Sequence, residues 1–467
     1  MKKILLDTIS FSYDGTGNGR VKNINMSVKA GECILLTGRS GCGKTTVTRM
    51  INGLIPEFFS GELMGRALVD GEDLAVKQIY EIAQKTGSVF QNPKTQFFHT
   101  DTEGEIAFGM ENLGVERLEI ANRVQRTAAD LHITNLLHRN IFSLSGGEKQ
   151  KIAFASVYAM NPDIYVLDEP SSNLDSNAIA DLRNYIRILK TQGKTLIIAE
   201  HRLYYLKDLA DEIFYMDHGE IRYQWTREAF LDLTEKERKK LGLRSLQYEE
   251  PKINETSCLK AIPDFEMKDF SIGYGKKEVL CEIQWRAIKG DIIAVTGHNG
   301  IGKSTLLRTV CGLKKALGGM VLWKGVVQSP KDLLNRSYMV MQDVNYQLFA
   351  DSVEHETYFG IKDADLNKVE QVLKDLDLYE CKDKHPNILS GGQKQRLAVA
   401  VSMLCKKDIL VFDEPTSGLD LESMRMVSKL MKKLASMGKI IFVVTHDFEL
   451  VTLACTRILK LGEKEKE

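Results

Sequence analysis

Residues 33–45 read Cys33-Ile34-Leu35-Leu36-Thr37-Gly38-Arg39-Ser40-Gly41-Cys42-Gly43-Lys44-Thr45. A short apolar run of strand length leads into the pattern G-x-x-x-x-G-K-S/T, with a helix expected to begin at the lysine. Glycines in such a loop let backbone N–H groups approach phosphate oxygens closely, and the N-terminus of the following helix adds partial positive charge. The stretch therefore predicts a phosphate loop between a buried strand and a helix.

A second phosphate loop lies further along the chain, at Gly297-His298-Asn299-Gly300-Ile301-Gly302-Lys303-Ser304. Each loop is followed by a loop glutamine, an LSGG element, an apolar strand ending in Asp-Glu-Pro, and a histidine after another apolar strand. The spacing from Ser145 to Ser390 equals the spacing from His201 to His446. The chain is therefore an internal repeat, and two similar domains are expected.

The alternation of strands and helices in each half predicts an α/β fold with a mainly parallel sheet at its core. Residues 61–73 alternate in polarity and carry turn glycines, which predicts a small antiparallel β subdomain. Residues 102–141 have mixed helical periodicity, which predicts a helical subdomain. The charge run 235–240 favours a solvated helix face over a helix that docks a partner. The predicted boundaries are domain 1 at 1–224, a linker at 225–263 and domain 2 at 264–467.

The composition excludes several classes of protein. The 467 residues contain 63 Lys+Arg and 63 Asp+Glu, so no overall positive charge would attract nucleic acid, and no nucleic-acid partner is expected. The eight cysteines form no C-x-x-C pair, so neither a zinc site nor a redox motif is indicated. The longest apolar runs have strand length, far below the roughly 20 residues that span a bilayer. The sequence therefore contains no segment that is expected to span a membrane.

The LSGG elements narrow the class of protein. Leu144-Ser145-Gly146-Gly147 lies a short helix ahead of the strand Ile164-Tyr165-Val166-Leu167-Asp168-Glu169. Over nearly the whole chain, this order of motifs resembles the ATPase subunits of ABC transporters. The resemblance implies tandem P-loop NTPase domains of the ABC ATPase type, which bind ATP and Mg²⁺ and couple ATP hydrolysis to transport across a membrane.

Several motif residues have roles that follow from their chemistry. Lys44 and Lys303 should reach the β- and γ-phosphates of the nucleotide. Glu169 and Glu414 suit a general base that orients water on the γ-phosphate, whereas an Asp-Glu pair at a strand end could instead cap a helix. Candidate metal contacts are the loop hydroxyls, the strand-end aspartates and the two glutamines that sense Mg²⁺ in the family, namely Thr45, Gln91, Asp168, Ser304, Gln342 and Asp413.

The resemblance implies further site residues. His201 and His446 match the histidine that contacts the γ-phosphate in the family, although a lone histidine is usually structural. The candidate catalytic residues are therefore Glu169, Glu414, His201, His446, Gln91 and Gln342. An aromatic residue ahead of each phosphate loop stacks on adenine in the family, with ordinary strand packing as the alternative. The candidate nucleotide-binding residues are Tyr13, Gly38, Arg39, Ser40, Gly41, Cys42, Gly43, Lys44, Thr45, Thr46, Ser145, Gly146, Gly147, Tyr274, Gly297, His298, Asn299, Gly300, Ile301, Gly302, Lys303, Ser304, Thr305, Ser390, Gly391 and Gly392.

The LSGG elements imply that the two halves work as a pair. In the family, two ATPase domains pack head to tail, and each ATP lies between one phosphate loop and the LSGG of the other domain. The resemblance therefore implies one site made from the Lys44 loop with residues 390–392, and a second made from the Lys303 loop with residues 145–147. Because both domains belong to one chain, they are expected to pair with each other. Cys42 lies close to Lys44 and a helix start, where a thiol can have a lowered pKa and react readily, with a small residue that merely fits the loop as the alternative for its natural role.

The glutamine loops indicate a subgroup. The segment Phe90-Gln91-Asn92-Pro93-Lys94-Thr95-Gln96-Phe97-Phe98, followed by Thr102-Glu103-Gly104-Glu105-Ile106-Ala107-Phe108-Gly109, resembles the ATPases of energy-coupling-factor transporters, which import vitamins and metal ions in prokaryotes. The second half has a looser version, Met341-Gln342-Asp343-Val344-Asn345-Tyr346-Gln347-Leu348-Phe349, without the proline. The implied partners are a transmembrane scaffold subunit and a separate substrate-capture membrane subunit, at the cytoplasmic face of the cell membrane.

Two alternatives remain open from the sequence. Tandem sugar-importer ATPases have the same layout, but one half is typically degenerate, whereas both halves here retain every motif. ABC-type translation factors are tandem ATPases that bind ribosomes and carry a long basic helical linker, whereas residues 225–263 have mixed charge. The transported substrate is not encoded in any motif of the chain.

Overall fold

The computed structural model describes residues 2–14, 20–172, 174–251, 253, 262–275, 277–361, 364–389 and 391–462. Ser390, a candidate nucleotide contact, lies outside the described residues. The chain forms two compact units, unit 1 at Met1–Tyr248 and unit 2 at Glu249–Glu467.

Unit 1 contains two sheets and nine α-helices among its described residues. The strands are β1 (Lys2–Tyr13), β2 (Val21–Lys29), β3 (Cys33–Gly38), β4 (Gly61–Val69), β5 (Glu72–Asp73), β6 (Thr86–Val89), β7 (Ile164–Asp168), β8 (Thr195–Ala199), β9 (Glu212–Asp217) and β10 (Glu220–Thr226). The helices are α1 (Lys44–Ile51), α2 (Leu54–Glu57), α3 (Ile79–Lys85), α4 (Thr102–Asn112), α5 (Arg117–Asp130), α6 (Gly146–Met160), α7 (Ser176–Thr191), α8 (Arg227–Leu231) and α9 (Glu235–Lys240).

The larger sheet of unit 1 has the strand order β10-β9-β3-β8-β7-β6, and every pair from β9 to β6 is parallel. Along β3, Cys33 and Leu35 belong to one apolar core, whereas Ile34 and Leu36 belong to another. A parallel strand covered on both faces needs a continuous apolar run, which explains the composition of this stretch. The smaller sheet, β2-β1-β4-β5, is antiparallel. The antiparallel subdomain and the helical subdomain, here α4 and α5, are thus confirmed.

Unit 2 repeats this plan with shorter helices in the helical subdomain. Its strands are β11 (Phe265–Tyr274), β12 (Lys277–Ala287), β13 (Ile292–Thr296), β14 (Gly318–Trp323), β15 (Val326–Val327), β16 (Ser337–Val340), β17 (Ile409–Asp413), β18 (Ile440–Val444) and β19 (Arg457–Lys460). Its helices are α10 (Lys303–Val310), α11 (Pro330–Arg336), α12 (Val353–Tyr358), α13 (Leu366–Asp375), α14 (Gly391–Leu404), α15 (Leu421–Ser436) and α16 (Phe448–Ala454). The sheet β16-β17-β18-β13-β19 is parallel throughout, and β12-β11-β14-β15 is antiparallel.

Part of the segment predicted as linker lies within unit 1, because residues 225–248 fold back onto it. Phe230, Leu243 and Leu246 are buried in its core, and the Tyr215 hydroxyl donates a 2.7 Å hydrogen bond to the Leu241 carbonyl. The charge run forms α9, which has no buried residue, and its predicted role as a solvated face stays a prediction. Residues 252 and 254–261 of the predicted linker lie outside the described residues. Within the described part of the chain, none of the helices has the length and apolar character needed to cross a bilayer.

Candidate functional site

Each phosphate loop joins the end of a buried strand to the start of a helix. Residues 38–45 connect β3 to α1, and residues 297–304 connect β13 to α10. Gly43 and Gly302 precede the helices with φ of 102° and 109°, and a Cβ on them would lie 2.6 and 2.7 Å from a valine methyl group. Both the left-handed conformation and the close approach require glycine at this position.

In unit 1, the ammonium of Lys44 is buried inside its own loop. Its Nζ donates to the carbonyls of Gly38 at 3.3 Å and Arg39 at 3.1 Å, and it lies 3.1 Å from Nε2 of His201. In unit 2, the equivalent loop surrounds Lys303 in a similar way. Lys303 Nζ donates to backbone or side-chain oxygens of Gly297 at 2.8 Å, His298 at 3.1 Å and Asn299 at 3.3 Å. Each loop therefore concentrates positive charge where a helix begins.

The predicted metal contacts are paired in both units. The Thr45 hydroxyl donates to Asp168 Oδ1 at 3.3 Å, and the Ser304 hydroxyl donates to Asp413 Oδ2 at 3.1 Å. Burial raises the pKa of both aspartates, against the effect of the neighbouring hydroxyls and cations. Hydroxyl and carboxylate oxygens side by side are the hard ligands that Mg²⁺ prefers, so the donor set fits this metal.

Glu169 and Glu414 have a backbone conformation that the sequence patterns did not reveal. Their φ values are 47° and 50°, in the left-handed region that non-glycine residues rarely adopt. Equivalent backbone bonds hold them there, since Glu169 N–H donates to the Ala199 carbonyl at 2.8 Å and Glu414 N–H donates to the Val444 carbonyl at 2.9 Å. Such strain costs about 1–3 kcal/mol and is concentrated at functional sites.

The carboxylate of Glu169 lies among the other candidate catalytic groups. Its Oε2 accepts a 2.7 Å hydrogen bond from Gln91 Nε2, and its Oε1 lies 3.6 Å from His201 Nε2. Burial raises the pKa of Glu169 to about 8, although Lys44 acts in the opposite direction. Burial, with the charges of Lys44 and Arg244, holds the pKa of His201 well below its usual value. A neutral imidazole therefore stands beside the lysine and the glutamate.

Unit 2 has the same groups with different partners. His446 Nε2 lies 3.6 Å from Glu414 Oε1 and 3.0 Å from Asn299 Oδ1, a side chain of the phosphate loop. Gln342 is exposed at the end of β16. The histidine–glutamate approach is thus common to both units, whereas the contact between histidine and phosphate loop differs.

Both candidate adenine-stacking tyrosines lie against the helix that follows the phosphate loop. The hydroxyl of Tyr13 hydrogen-bonds with Thr46 at 3.3 Å, and that of Tyr274 with Thr305 at 2.8 Å. Tyr274 is 61% exposed, and the Lys314 ammonium lies 3.1 Å from its ring centroid. Stacking on adenine stays a prediction. Sequence reasoning did not identify Lys314 as a neighbour of Tyr274, because the two residues meet only when β11 and the chain that follows α10 come together in the fold.

The described LSGG residues lie at helix starts. Ser145 caps α6, because its hydroxyl accepts the N–H of Glu148 at 3.3 Å while the Glu148 carboxylate accepts the N–H of Ser145 at 2.8 Å. Gly146 is exposed and Gly147 is buried in the first turn of this helix, and Gly391 and Gly392 begin α14. Helix N-termini are suited to bind anions, so these segments could contact a phosphate.

The expected reactivity of Cys42 is wrong. Its side chain is 3% exposed, and burial raises the pKa of its thiol despite the nearby Lys44 charge. The loop folds the thiol inward, against the core of the antiparallel sheet and α1. Desolvation therefore outweighs the attraction between thiolate and ammonium.

A cavity of about 600 Å³ lies beside the metal-contact residues of unit 1. Its rim carries Phe58 and Phe98, which are 74% and 72% exposed. Phe97, the neighbouring aromatic of the glutamine loop, instead packs against the core. The lining residues are Thr45, Thr48, Arg49, Asn52, Leu54, Phe58, Phe59, Ser88, Val89, Phe90, Gln91, Asn92, Thr95, Phe98, Val166 and Asp168.

Comparison with known proteins identifies the family. Residues 21–172 and 280–417 both match the family described as ABC transporter. A Treponema denticola protein named "Putative ABC transporter ATP-binding protein" is 48% identical over 99% of this chain and 98% of its own length. A Bacillus subtilis protein named "Putative HMP/thiamine import ATP-binding protein YkoD" is 30% identical over 98% of this chain and 90% of its own length.

Solved structures show the same fold. A chain in a structure described as a model of ribosome-bound archaeal Pelota and ABCE1 has a TM-score of 0.70 and 21% identity, over 97% of this chain and 76% of that one. An RNase-L inhibitor has a TM-score of 0.63 and 22% identity, over 97% and 87%. At this identity the likeness concerns the fold alone. With two matching regions and relatives that align over the whole chain, the protein belongs to the ABC transporter family of ATP-binding proteins and is a tandem ABC ATPase.

Proposed function

We propose that this chain is the ATP-hydrolysing, energy-coupling subunit of a membrane importer of the energy-coupling-factor type. It works at the cytoplasmic face of the cell membrane. A transmembrane scaffold subunit transmits the movement of the ATPase, and a separate membrane subunit captures the substrate.

The observation that carries this proposal is that each unit brings together a lysine, a loop hydroxyl, an aspartate, a glutamate and a histidine. The sets are Lys44, Thr45, Asp168, Glu169 and His201 in unit 1, and Lys303, Ser304, Asp413, Glu414 and His446 in unit 2. A tandem sugar-importer ATPase would be expected to have lost part of one set. Two complete sets favour two hydrolytic sites.

The residues divide the work of phosphoryl transfer to water. Lys44 and Lys303 stabilise negative charge on the β- and γ-phosphates. Mg²⁺, held by the loop hydroxyl and the strand-end aspartate, supplies further positive charge to the phosphate oxygens when bound. Glu169 and Glu414, in their ionised forms, orient the attacking water and accept its proton. Because burial raises the pKa of Glu169 to about 8, the ionised fraction of this base grows as the pH rises toward that value. His201, whose pKa is held well below its usual value, contacts the γ-phosphate without adding charge to the buried site, and His446 has the equivalent place in unit 2.

The LSGG segments complete each site from the other half of the chain. In this proposal, Gly391 and Gly392, with Ser390, close over the nucleotide at Lys44, and residues 145–147 close over the nucleotide at Lys303. Both halves belong to one chain, so the effective concentration of one for the other is on the order of millimolar. A second copy of the chain is then not needed for hydrolysis.

The importer role is supported by the chain's relatives and by the surface of unit 1. The Bacillus subtilis relative is named as an HMP/thiamine import ATP-binding protein. In unit 1, the cavity beside Gln91 opens next to exposed Phe58 and Phe98, an apolar surface next to the candidate metal contacts. A membrane subunit that inserts a helix there would sense the nucleotide state through Gln91.

Purification from the native cell tests this function against the alternative role in translation. Tagged chain, extracted in mild detergent, is expected to co-purify with polytopic membrane proteins, and the reconstituted complex is expected to take up substrate only with hydrolysable ATP. Recovery with ribosomes, without any membrane protein, would overturn the importer proposal. Identification of the co-purified capture subunit would then define the substrate.

A further inference from the structure

Glu200, directly before the candidate γ-phosphate histidine of unit 1, is a buried carboxylate that accepts four hydrogen bonds. Its Oε1 accepts the backbone N–H of His201 at 2.7 Å and of Arg202 at 3.0 Å. Its Oε2 accepts the Tyr205 hydroxyl at 2.9 Å and the N–H of Ser171 at 3.3 Å. The residue is 2% exposed. Because both oxygens have donors, three from the histidine loop and one from Ser171, the carboxylate and the backbone around it are held in one arrangement.

Arg202 connects the same loop to the backbone that follows Glu169. Its Nη1 donates to the carbonyls of Ser171 at 3.4 Å and Leu174 at 3.3 Å, and the residue is 9% exposed. A planar guanidinium loses little freedom for each such bond, so it restrains the two segments effectively. The histidine loop and the segment after the glutamate are thus joined at two points, by a carboxylate and by a guanidinium.

Unit 2 joins the equivalent segments with different chemistry. In unit 2, Thr445 stands in place of Glu200 and Asp447 in place of Arg202. The Thr416 hydroxyl donates to Asp447 Oδ2 at 2.8 Å. The N–H of His446 donates to Oε2 of Glu414 at 3.4 Å, so here the histidine backbone contacts the candidate catalytic carboxylate itself. In unit 1 a separate carboxylate accepts the equivalent N–H.

We infer that Glu200 and Arg202 are positioning residues of the first nucleotide site. They keep His201 and the backbone after Glu169 in a fixed relative position. This inference rests on the proposed roles of His201 and Glu169. Since Glu200 accepts the histidine N–H, the Glu169 carboxylate is free to accept the hydrogen bond from Gln91. In the first site, Glu169 therefore lies near both the glutamine amide and the histidine ring, while a separate carboxylate, Glu200, holds the histidine backbone. In the second site, the candidate catalytic carboxylate Glu414 itself accepts the histidine backbone N–H.

The test transfers the loop of unit 2 into unit 1. Single-turnover ATP cleavage is measured in the full chain carrying Glu414→Gln, so that cleavage reports Glu169. Glu200→Thr is expected to lower the rate by about 10- to 100-fold while the nucleotide affinity changes less than about threefold, because a small misplacement of catalytic groups has effects of this size. The double variant Glu200→Thr/Arg202→Asp is expected to recover most of the rate, because residue 171 is a serine whose hydroxyl can take the place of Thr416.

Matched variants separate positioning from stability. Tyr185→Phe removes another buried hydrogen bond of unit 1, to the Leu131 carbonyl, and should lower the melting temperature without lowering the rate. An unchanged rate in Glu200→Thr, or a double variant no faster than the single one, would overturn the inference. If Glu200→Thr does not fold, Glu200→Gln is measured instead. Full activity of Glu200→Gln would also overturn the inference.

The failure of the inference can be distinguished from the failure of the proposed function. His201→Ala is measured in the same chain. If its rate equals that of the parent, the proposed role of His201 is wrong. If His201→Ala is slow and Glu200→Thr is not, the histidine role stands and only the positioning inference is wrong.

Discussion

The side-chain amide of Gln91 donates a 2.7 Å hydrogen bond to the carboxylate of Glu169, across 78 residues of sequence. This contact connects the loop before the helical subdomain with the strand end that carries the candidate general base. A change in the position of the glutamine loop would therefore reach Glu169 directly.

Removal of this amide is expected to reduce turnover more than binding. In a chain carrying Glu414→Gln, Gln91→Ala should lower the rate of ATP cleavage by about tenfold, because the carboxylate is no longer held in one orientation. Nucleotide affinity, measured by fluorescence titration, should change less than about threefold. The matched variant for the second site is Gln342→Ala in a chain carrying Glu169→Gln, in which cleavage reports Glu414. A large loss of affinity with normal cleavage of bound ATP would contradict a role in orienting Glu169.

The raised pKa of Glu169 makes stability depend on pH. Between its ordinary value of 4.5 and the folded value of about 8, the folded protein keeps a proton that the unfolded chain releases, so this carboxyl lowers stability as pH rises through that range. Glu169→Gln should therefore be more stable than the parent by on the order of a few kcal/mol at pH 8.5 but hardly at pH 4.5. Thermal unfolding at both pH values measures the difference. The exposed Glu111→Gln serves as the control for the loss of a carboxyl group at the surface.

Exposed aromatic residues are predicted to carry the contact with the membrane subunit. Phe98 is 72% exposed, so Phe98→Glu should weaken co-purification with the membrane partner and leave ATP affinity unchanged. Phe349, 73% exposed in unit 2, should behave in the same way. Phe97→Glu, in contrast, places a charge against the core and should lower the melting temperature. Unchanged complex assembly in both exposed variants would show that the partner binds elsewhere.

Cys42 is expected to react slowly with maleimide, because its thiol is buried and its pKa is raised. Cys281, an exposed thiol on β12, should be modified before Cys42. Mass spectrometry of the digested protein after short exposure gives the order of labelling. Cys42 labelled before Cys281 in the folded chain would mean that the phosphate loop opens far more readily than its packing indicates.

If the proposed head-to-tail pairing is right, each LSGG serine should affect the phosphate loop of the other half. Ser390→Arg should prevent nucleotide trapping at the Lys44 site, and Ser145→Arg at the Lys303 site, because the arginine would fill the space for the γ-phosphate. Photo-crosslinked nucleotide, located by peptide mapping, shows which site has lost binding. Ser390→Arg that abolishes only the Lys303 site would exclude this pairing.

Local patterns predicted the parallel sheets, the antiparallel and helical subdomains and both phosphate loops. Each of these features depends on a few neighbouring residues. The apolar run of β3 is continuous, and the position before Lys44 requires glycine because its φ is left-handed and its packing is close. The linker was harder to predict, because the folding of residues 225–248 onto unit 1 depends on isolated apolar residues such as Leu243 and Leu246 meeting a distant core.

The sequence by itself determined which chemical groups each half possesses: a lysine, a loop hydroxyl, an aspartate, a glutamate and a histidine in fixed order. Only the tertiary structure decided how these groups are oriented. The left-handed backbone of Glu169 depends on the neighbouring strand, the thiol of Cys42 turns toward the core, and Glu200 joins segments 29 residues apart. These features arise from desolvation and from hydrogen bonds between distant segments, and neither quantity can be read from residue spacing alone.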